Sequence, residues 1–278
     1  MEKAKGTKNS GENGIIDALF SVGAHYGFVK SRRHPSVKKF ILGVKNNIEI
    51  FDLTKTSKEL EKVLSFVEGK GREKALVLWV GGKSEAREAI RKAGNELEMP
   101  YVAGRWIGGT LSNFTEIKKR ILRLEELTTQ REKGELGKYT KKERLLFDRE
   151  IDKLFLYFGG LAQLKSLPKL LVVMDPKKEH IAVAEARKMR IPVVALASSD
   201  SNLFELDYVV PGNDSSRQSI GFVIQEIVNA YKKGREAIAK ETKPESIASC
   251  PNVGPTTLSS TIRAGAGNLP ALKIATNA

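Results

Sequence analysis

Residues 170–197 read LLVVMDPKKEHIAVAEARKMRIPVVALA, and the alternation within them decides the fold. LLVVM (170–174) and PVVALA (192–197) are continuous apolar runs, and the stretch near Glu179–Met189 between them has helical spacing. A strand that is apolar on both faces belongs in a sheet covered on both sides, and a helix linking two such strands makes them parallel. Outward from this unit the pattern repeats. ALVLWV (75–80) ends at Gly81-Gly82 and precedes a helix over Ser84–Glu98; Pro100 then leads into YVAGR, and DYVV (207–210) precedes a helix over Ser215–Lys232. Right-handed crossovers between such units predict an α/β fold, a doubly wound (Rossmann- or flavodoxin-like) parallel sheet.

Before the sheet, a short amphipathic helix is expected over Ile15–Tyr26, where Ile15, Ile16, Leu19 and Val22 recur at helical spacing. FILGVKNNIEIFDL follows. Two apolar runs flank Asn46-Asn47, residues that tolerate positive φ, so the spacing predicts a β-hairpin. Thr54–Glu68 is predicted helical, with Leu60, Val63, Leu64 and Val67 on one face and Gly69 and Gly71 beyond its end.

Between Thr115 and Phe158 the strand signal disappears. Ile117, Ile121 and Leu124 are spaced 4,3, and Phe147, Ile151, Leu154 and Phe158 are spaced 4,3,4, with Gly134 and Gly137 between the stripes. Two helices of about sixteen residues, each about 25 Å long, would pair as an antiparallel coiled-coil helical hairpin inserted into the sheet domain. Such a hairpin reads as a solvated spur, an oligomerisation arm or a docking arm for a partner. The expected organisation is a disordered tail over 1–13, a globular α/β domain over 14–114 and 159–236, the hairpin over 115–158 and a disordered tail over 237–278.

The chain has 278 residues, with 47 Lys+Arg against 33 Asp+Glu, a formal net charge of +14. Hydrophobic residues make up 41% and charged residues 29%, which argues against wholesale disorder. One cysteine, Cys250, rules out an internal disulfide and a Cys-rich zinc site. With neither an apolar leader at the start nor an apolar run long enough to span a bilayer, a reducing cytoplasmic setting is expected. The positive surplus points to a polyanion, with nucleic acid foremost. It is also localised: 30–45 (KSRRHPSVKKFILGVK) has six basic residues and no acid, whereas 115–152 has eleven basic and nine acidic residues.

A doubly wound sheet makes a nucleotide enzyme the natural rival. VGGKS (80–84) lies between a strand and a helix, but a P-loop would need glycine at 77, where Val77 stands. Gly81–Ala86 lacks the G-x-G-x-x-G spacing. There is no G-x-S-x-G elbow, and His25, His34 and His180 are scattered. No catalytic residue, cofactor, metal or small-molecule substrate is therefore expected.

A set of ordered blocks resembles the bacterial small-subunit ribosomal protein two family. They are GAHYG (23–27), FILGVKNNIEIFDLTKT (40–56), VGGKSEAREAI (80–90), YVAGRWIGGTLSNF (101–114), TKKE (140–143), FGG (158–160), the opening stretch 170–197 and PGNDSSRQSI (211–220). They span residues 15–234, and the inserted hairpin resembles the bacterial type. The resemblance implies a structural protein that binds 16S ribosomal RNA on the solvent side of the small subunit, between head and body. It implies neighbouring small-subunit proteins as partners, and a part in anchoring ribosomal protein one. The chain departs from the family pattern at Phe28, where a histidine is usual, at Arg33 and His34, where tryptophan and asparagine are usual, and at SSDSN (198–202), which replaces an Asp-Thr-Asn loop.

The candidate RNA-binding residues are Lys30, Arg32, Arg33, Lys38 and Lys39 of the acid-free run, then Arg105, then Lys118, Lys119, Lys141 and Lys142 near the hairpin. Arg105 has a competing reading as a buried, carboxylate-paired arginine, and the hairpin lysines as helix-surface partners of nearby glutamates. Trp106 reads as core more readily than as a base-stacking platform, and Gly108 and Gly109 as a tight turn. Changing the five residues of the acid-free run to alanine is expected to leave the fold intact and lower RNA affinity.

Overall fold

The computed structural model describes residues 10–241, with side-chain surroundings over 14–237, so most of the two expected tails lies outside the described residues. The chain enters through α1 (Ser10–Ser21), which starts and ends earlier than the apolar spacing suggests. Gly23 adopts φ 71° and turns the chain, so Tyr26 opens a strand, β1 (Tyr26–Val29), instead of closing a helix. The hairpin expected around Asn46-Asn47 consists of β2 (Ile41–Lys45) and β3 (Ile48–Phe51), with Lys45 opposite Ile48. Both asparagines have positive φ, 49° and 67°, as a two-residue type I′ connection requires. Asn47→Val should therefore cost about 1–2 kcal/mol in urea unfolding, because a β-branched residue resists the left-handed region, whereas Asn47→Gly should be nearly neutral. β1 adds to β3, giving a small antiparallel sheet in the order β1-β3-β2.

Asp52 caps α2 (Leu53–Arg72) by accepting from the Thr54 amide at 3.1 Å. The helix runs past Gly69 and Gly71 instead of stopping there. Gly71 has a tertiary purpose: a Cβ on it would collide with the carbonyl of Tyr231 on the neighbouring helix. There follow β4 (Val77–Val80), α3 (Ser84–Leu97), β5 (Tyr101–Val102), α4 (Phe114–Glu132), α5 (Lys141–Phe158), β6 (Leu170–Met174), α6 (His180–Lys188), β7 (Val193–Ala197), β8 (Tyr208–Pro211) and α7 (Arg217–Glu241). Strands β4 to β8 form a parallel five-stranded sheet in the order β5-β4-β6-β7-β8, the flavodoxin-like winding, which reverses direction between β4 and β6.

Strand side chains alternate between two cores. Val77, Trp79, Leu170, Val172 and Val194 pack with α2, α3 and α7 on one face of the sheet. Leu78, Val80, Leu171, Val173 and Ala195 face the other way, towards α6. That second core continues without a break into Ile117, Ile121 and Leu124 of α4 and Ile151, Leu154 and Phe158 of α5. The two inserted helices fold back on each other along the stripes visible in the sequence, cross-linked by Arg123 Nε to Glu150 Oε1 at 3.4 Å. Thr140 and Glu143 form a reciprocal capping box at the start of α5. The hairpin is thus rooted in the sheet's own core. Among the described residues no helix is long and apolar enough to cross a membrane.

Candidate nucleic-acid interface

In a doubly wound sheet the ligand crevice lies beyond the carboxyl ends of the strands, where the winding reverses. Here the chain fills that place with its own charges. Lys83, just after β4, puts Nζ 2.8 Å from both Asp175 Oδ2, after β6, and Asp214 Oδ2, after β8. Burial opposes the charge of this ammonium, but the two carboxylates outweigh it and hold the Lys83 pKa above its ordinary value. The Gly82 amide at the start of α3, which would greet a phosphate, donates instead to Glu179 Oε1 at 3.1 Å. A Cβ on Gly82 would strike that same carboxylate. A GGKS junction that looks nucleotide-like in sequence is closed by side chains from beyond two other strands.

The acid-free run lies against the same end of the sheet. Lys30–Arg32 and Pro35–Phe40 form two short 3-10 turns, and the inner side chains Val37 and Phe40 pack with Phe51, Ala197 and Leu203. Polar contacts bolt the run to the loop after β7. The His34 amide donates to the Ser199 carbonyl (2.8 Å), the Phe28 amide to Ser199 Oγ (2.9 Å) and the Leu203 amide to Ser36 Oγ (3.1 Å). The Arg32 guanidinium stands over the Phe28 ring, 4.8 Å from its centre, and reaches Asp200 Oδ2 at 3.4 Å. Phe28, Arg32, His34 and the 198–202 loop are therefore gathered at one place, and several touch one another.

The ten sequence-selected cations fall into different situations. Lys30, Lys38 and Lys39 are exposed, and no carboxylate pairs with them among the described residues. Arg32 is half-exposed and shares Asp200 with Lys177, whose Nζ sits 2.9 Å from the same oxygen. Arg33 is different: its Nη1 is 3.2 Å from Oε1 of Glu49, a carboxylate that is 0% exposed. Of the five alanine changes, the one at Arg33 is thus predicted to disturb the fold, since it would leave Glu49 buried without its cation. Arg105 is exposed and unpaired among the described residues, so the buried reading does not hold for it. Trp106 is core: it is 5% exposed, and its Nε1 donates to Glu185 Oε1 at 3.3 Å.

The hairpin lysines do not join the run. Lys118 and Lys119 lie near the base of α4, while Lys141 and Lys142 begin α5 at the far end of the hairpin, about 20 Å away along the helix. All four are exposed, and Lys119 pairs with Glu116 at 2.6 Å. Sequence reasoning passed over Lys45, at the end of β2 and inside the acid-free run, and Lys177, which no local charge pattern marks. It also passed over Glu185. Its two oxygens accept from the amides of Gly109 (2.7 Å), Leu111 (3.0 Å) and Ser112 (3.2 Å), fixing the RWIGGTLS loop that launches the hairpin. Burial raises the Glu185 pKa, but these hydrogen bonds prevail and hold the carboxyl below its ordinary value.

The family model described as "Ribosomal protein S2" matches residues 19–234. The chain is 40% identical over 227 residues to the small ribosomal subunit protein uS2 of Aliarcobacter butzleri (strain RM4018), covering 82% of this chain and 86% of that protein. It is 41% identical over 217 residues to the uS2 protein of Sulfurimonas denitrificans, covering 78% and 84%. To the uS2 protein of Thermus thermophilus it is 38% identical over 225 residues, covering 81% and 88%.

Proposed function

Because the chain belongs to the ribosomal protein S2 family and so is a structural constituent of the small ribosomal subunit, we propose that the 30–39 segment is the face it turns towards 16S ribosomal RNA. The observation that carries this is the display of Lys30, Lys38 and Lys39 on two 3-10 turns packed over Val37 and Phe40, exposed and without carboxylate partners among the described residues, beside the half-exposed pair Arg32 and Lys177. Charges fixed on a buried anchor meet phosphates without a large ordering cost, and point charges of this kind follow backbone and helix shape more than sequence. Arg33 serves this face indirectly, through Glu49. The four hairpin lysines and Arg105 extend the positive surface to more distant RNA. The placement between head and body on the solvent side belongs to the same proposal.

Anchoring of ribosomal protein one belongs to the hairpin in this reading. Leu122, Leu145 and Leu146 are exposed on its two helices, apolar side chains that a partner protein would cover. No step in this function makes or breaks a bond.

A variant with Lys30, Lys38 and Lys39 changed to alanine, and Arg32 and Arg33 kept, tests the RNA face. Thermal unfolding should match the parent. Association with protein-depleted small subunits should weaken, and the slope of log affinity against log salt should shrink by about 0.7–0.9 for each phosphate no longer neutralised. An unchanged slope would place the RNA on another face.

A further inference from the structure

The arginines of the basic run are tied to carboxylates, as are Arg72 (to Glu68) and Arg123 (to Glu150). Arg87, Arg91 and Arg105 have no ion pair among the described residues, yet all three border a single cavity of about 450 Å³. Arg87 and Arg91 are one helical turn apart on α3, so their guanidinium groups share a face at a small repulsive cost. Arg105 reaches the same cavity from the loop after β5. No acidic residue lines it. Three unneutralised guanidinium groups facing one concavity make a site for an anion, and their forked donors match phosphate oxygens.

The other wall is aromatic. Tyr101 of β5 and Phe155 and Tyr157 of α5 line it. The Tyr101 ring is packed against two glycines: a Cβ on either Gly94 or Gly160 would collide with it. Phe155 is 68% exposed, an aromatic surface left open beside the cations. The volume is that of a small-ligand site, about 300–1,000 Å³. A second cavity, of about 330 Å³, is also bordered by Arg87 and Arg105 and has Lys178 and the buried Glu179 in its lining, the Glu179 carboxylate accepting from the Gly82 amide.

We propose that this cleft, where the hairpin leaves the sheet, takes an unpaired nucleotide of an RNA strand, with its base against Phe155 and the two tyrosines and its phosphates on Arg87, Arg91 and Arg105. The proposal rests on the RNA-binding reading and adds to it a second, single-strand site. An aromatic wall beside an arginine row is the chemistry of single-strand platforms, in which stacking tolerates any base and the cations follow the backbone. A strand fits better than a free mononucleotide because Arg87 and Arg105 also border a second cavity, where a neighbouring nucleotide can lie.

The test uses the full chain and a labelled pentauridylate read by fluorescence anisotropy at low salt. A five-base-pair RNA duplex, uridine monophosphate and a Glu- and Phe-containing peptide serve as competitors. The parent should prefer the single strand to the duplex. Phe155→Ala, at an exposed position, should weaken the strand about tenfold, and Arg87→Ala/Arg91→Ala should weaken it and flatten its salt dependence, both with unaltered melting. Strand affinity unchanged in both variants, or displacement by uridine monophosphate or by the peptide as effective as by the strand itself, would overturn the proposal. The ribosomal reading is judged separately, by the lysine variant on small subunits.

Discussion

Arg33→Ala should lower the unfolding free energy by about 3–5 kcal/mol near neutral pH, far more than loss of any neighbouring lysine. Glu49 is the reason. It lies on β3 with no exposed surface, and the Arg33 guanidinium at 3.2 Å is its paired cation. Even with that partner, burial pushes the Glu49 pKa above its ordinary value, against the pull of Arg33. Without Arg33 the shift upward must grow. A carboxyl whose folded-state pKa is raised binds more protons in the folded than in the unfolded chain, so stability falls as pH rises between the two values. The cost of Arg33→Ala should accordingly be largest at pH 7–8 and shrink towards about pH 5, and Glu49→Gln in the same background should recover much of it. Urea unfolding of the single and double variants at two pH values measures this. A loss under about 1 kcal/mol with no pH dependence would show that Glu49 does not depend on Arg33. The outcome matters for function, because a general charge-removal experiment across 30–39 would mistake unfolding for weakened RNA binding.

Glu185→Ala should be comparably severe. One carboxylate holds three amides of a single loop and the Trp106 indole. Each buried donor left without a partner costs about 1–3 kcal/mol, and partial relaxation of the loop should bring the total to about 3–5 kcal/mol. The sign with pH is opposite to that of Glu49. The folded-state pKa of Glu185 is depressed, so its stabilisation is complete above the ordinary carboxylate value of about 4.3 and is lost as pH falls through the lower folded value. Near neutral pH, Glu185→Gln should lie between parent and alanine, since an amide oxygen accepts only part of the set. Chemical unfolding, with near-ultraviolet dichroism of the tryptophans to follow Trp106, distinguishes loop release from global weakening. A native Trp106 signal and parental stability in the alanine variant would mean that the RWIGGTLS loop holds itself. The expected fraying would also loosen the start of α4, and with it the orientation of the hairpin.

Residue patterns revealed most of the architecture and the less interesting half of the site. The buried strand runs, the Asn46-Asn47 turn and the 4,3 stripes of α4 and α5 were all legible, because each depends on short periods along one stretch of chain. The basic run was legible as charge. What it does with that charge was not: Arg32 meets Asp200, 168 residues away, and Arg33 is committed to a buried glutamate.

By itself, then, the amino-acid order determined a parallel sheet wrapped by helices, a paired helical insertion and a positive segment free of acids, since hydrophobic periodicity and local charge are properties of neighbouring residues. Only the tertiary structure decided which cations remain free for a polyanion, that Lys83, Asp175, Asp214 and Glu179 close the crevice a nucleotide would use, and that three unpaired arginines share a cleft with Phe155. Ion pairing and cavity shape are set by groups brought together from distant parts of the chain, and no window of sequence contains both partners.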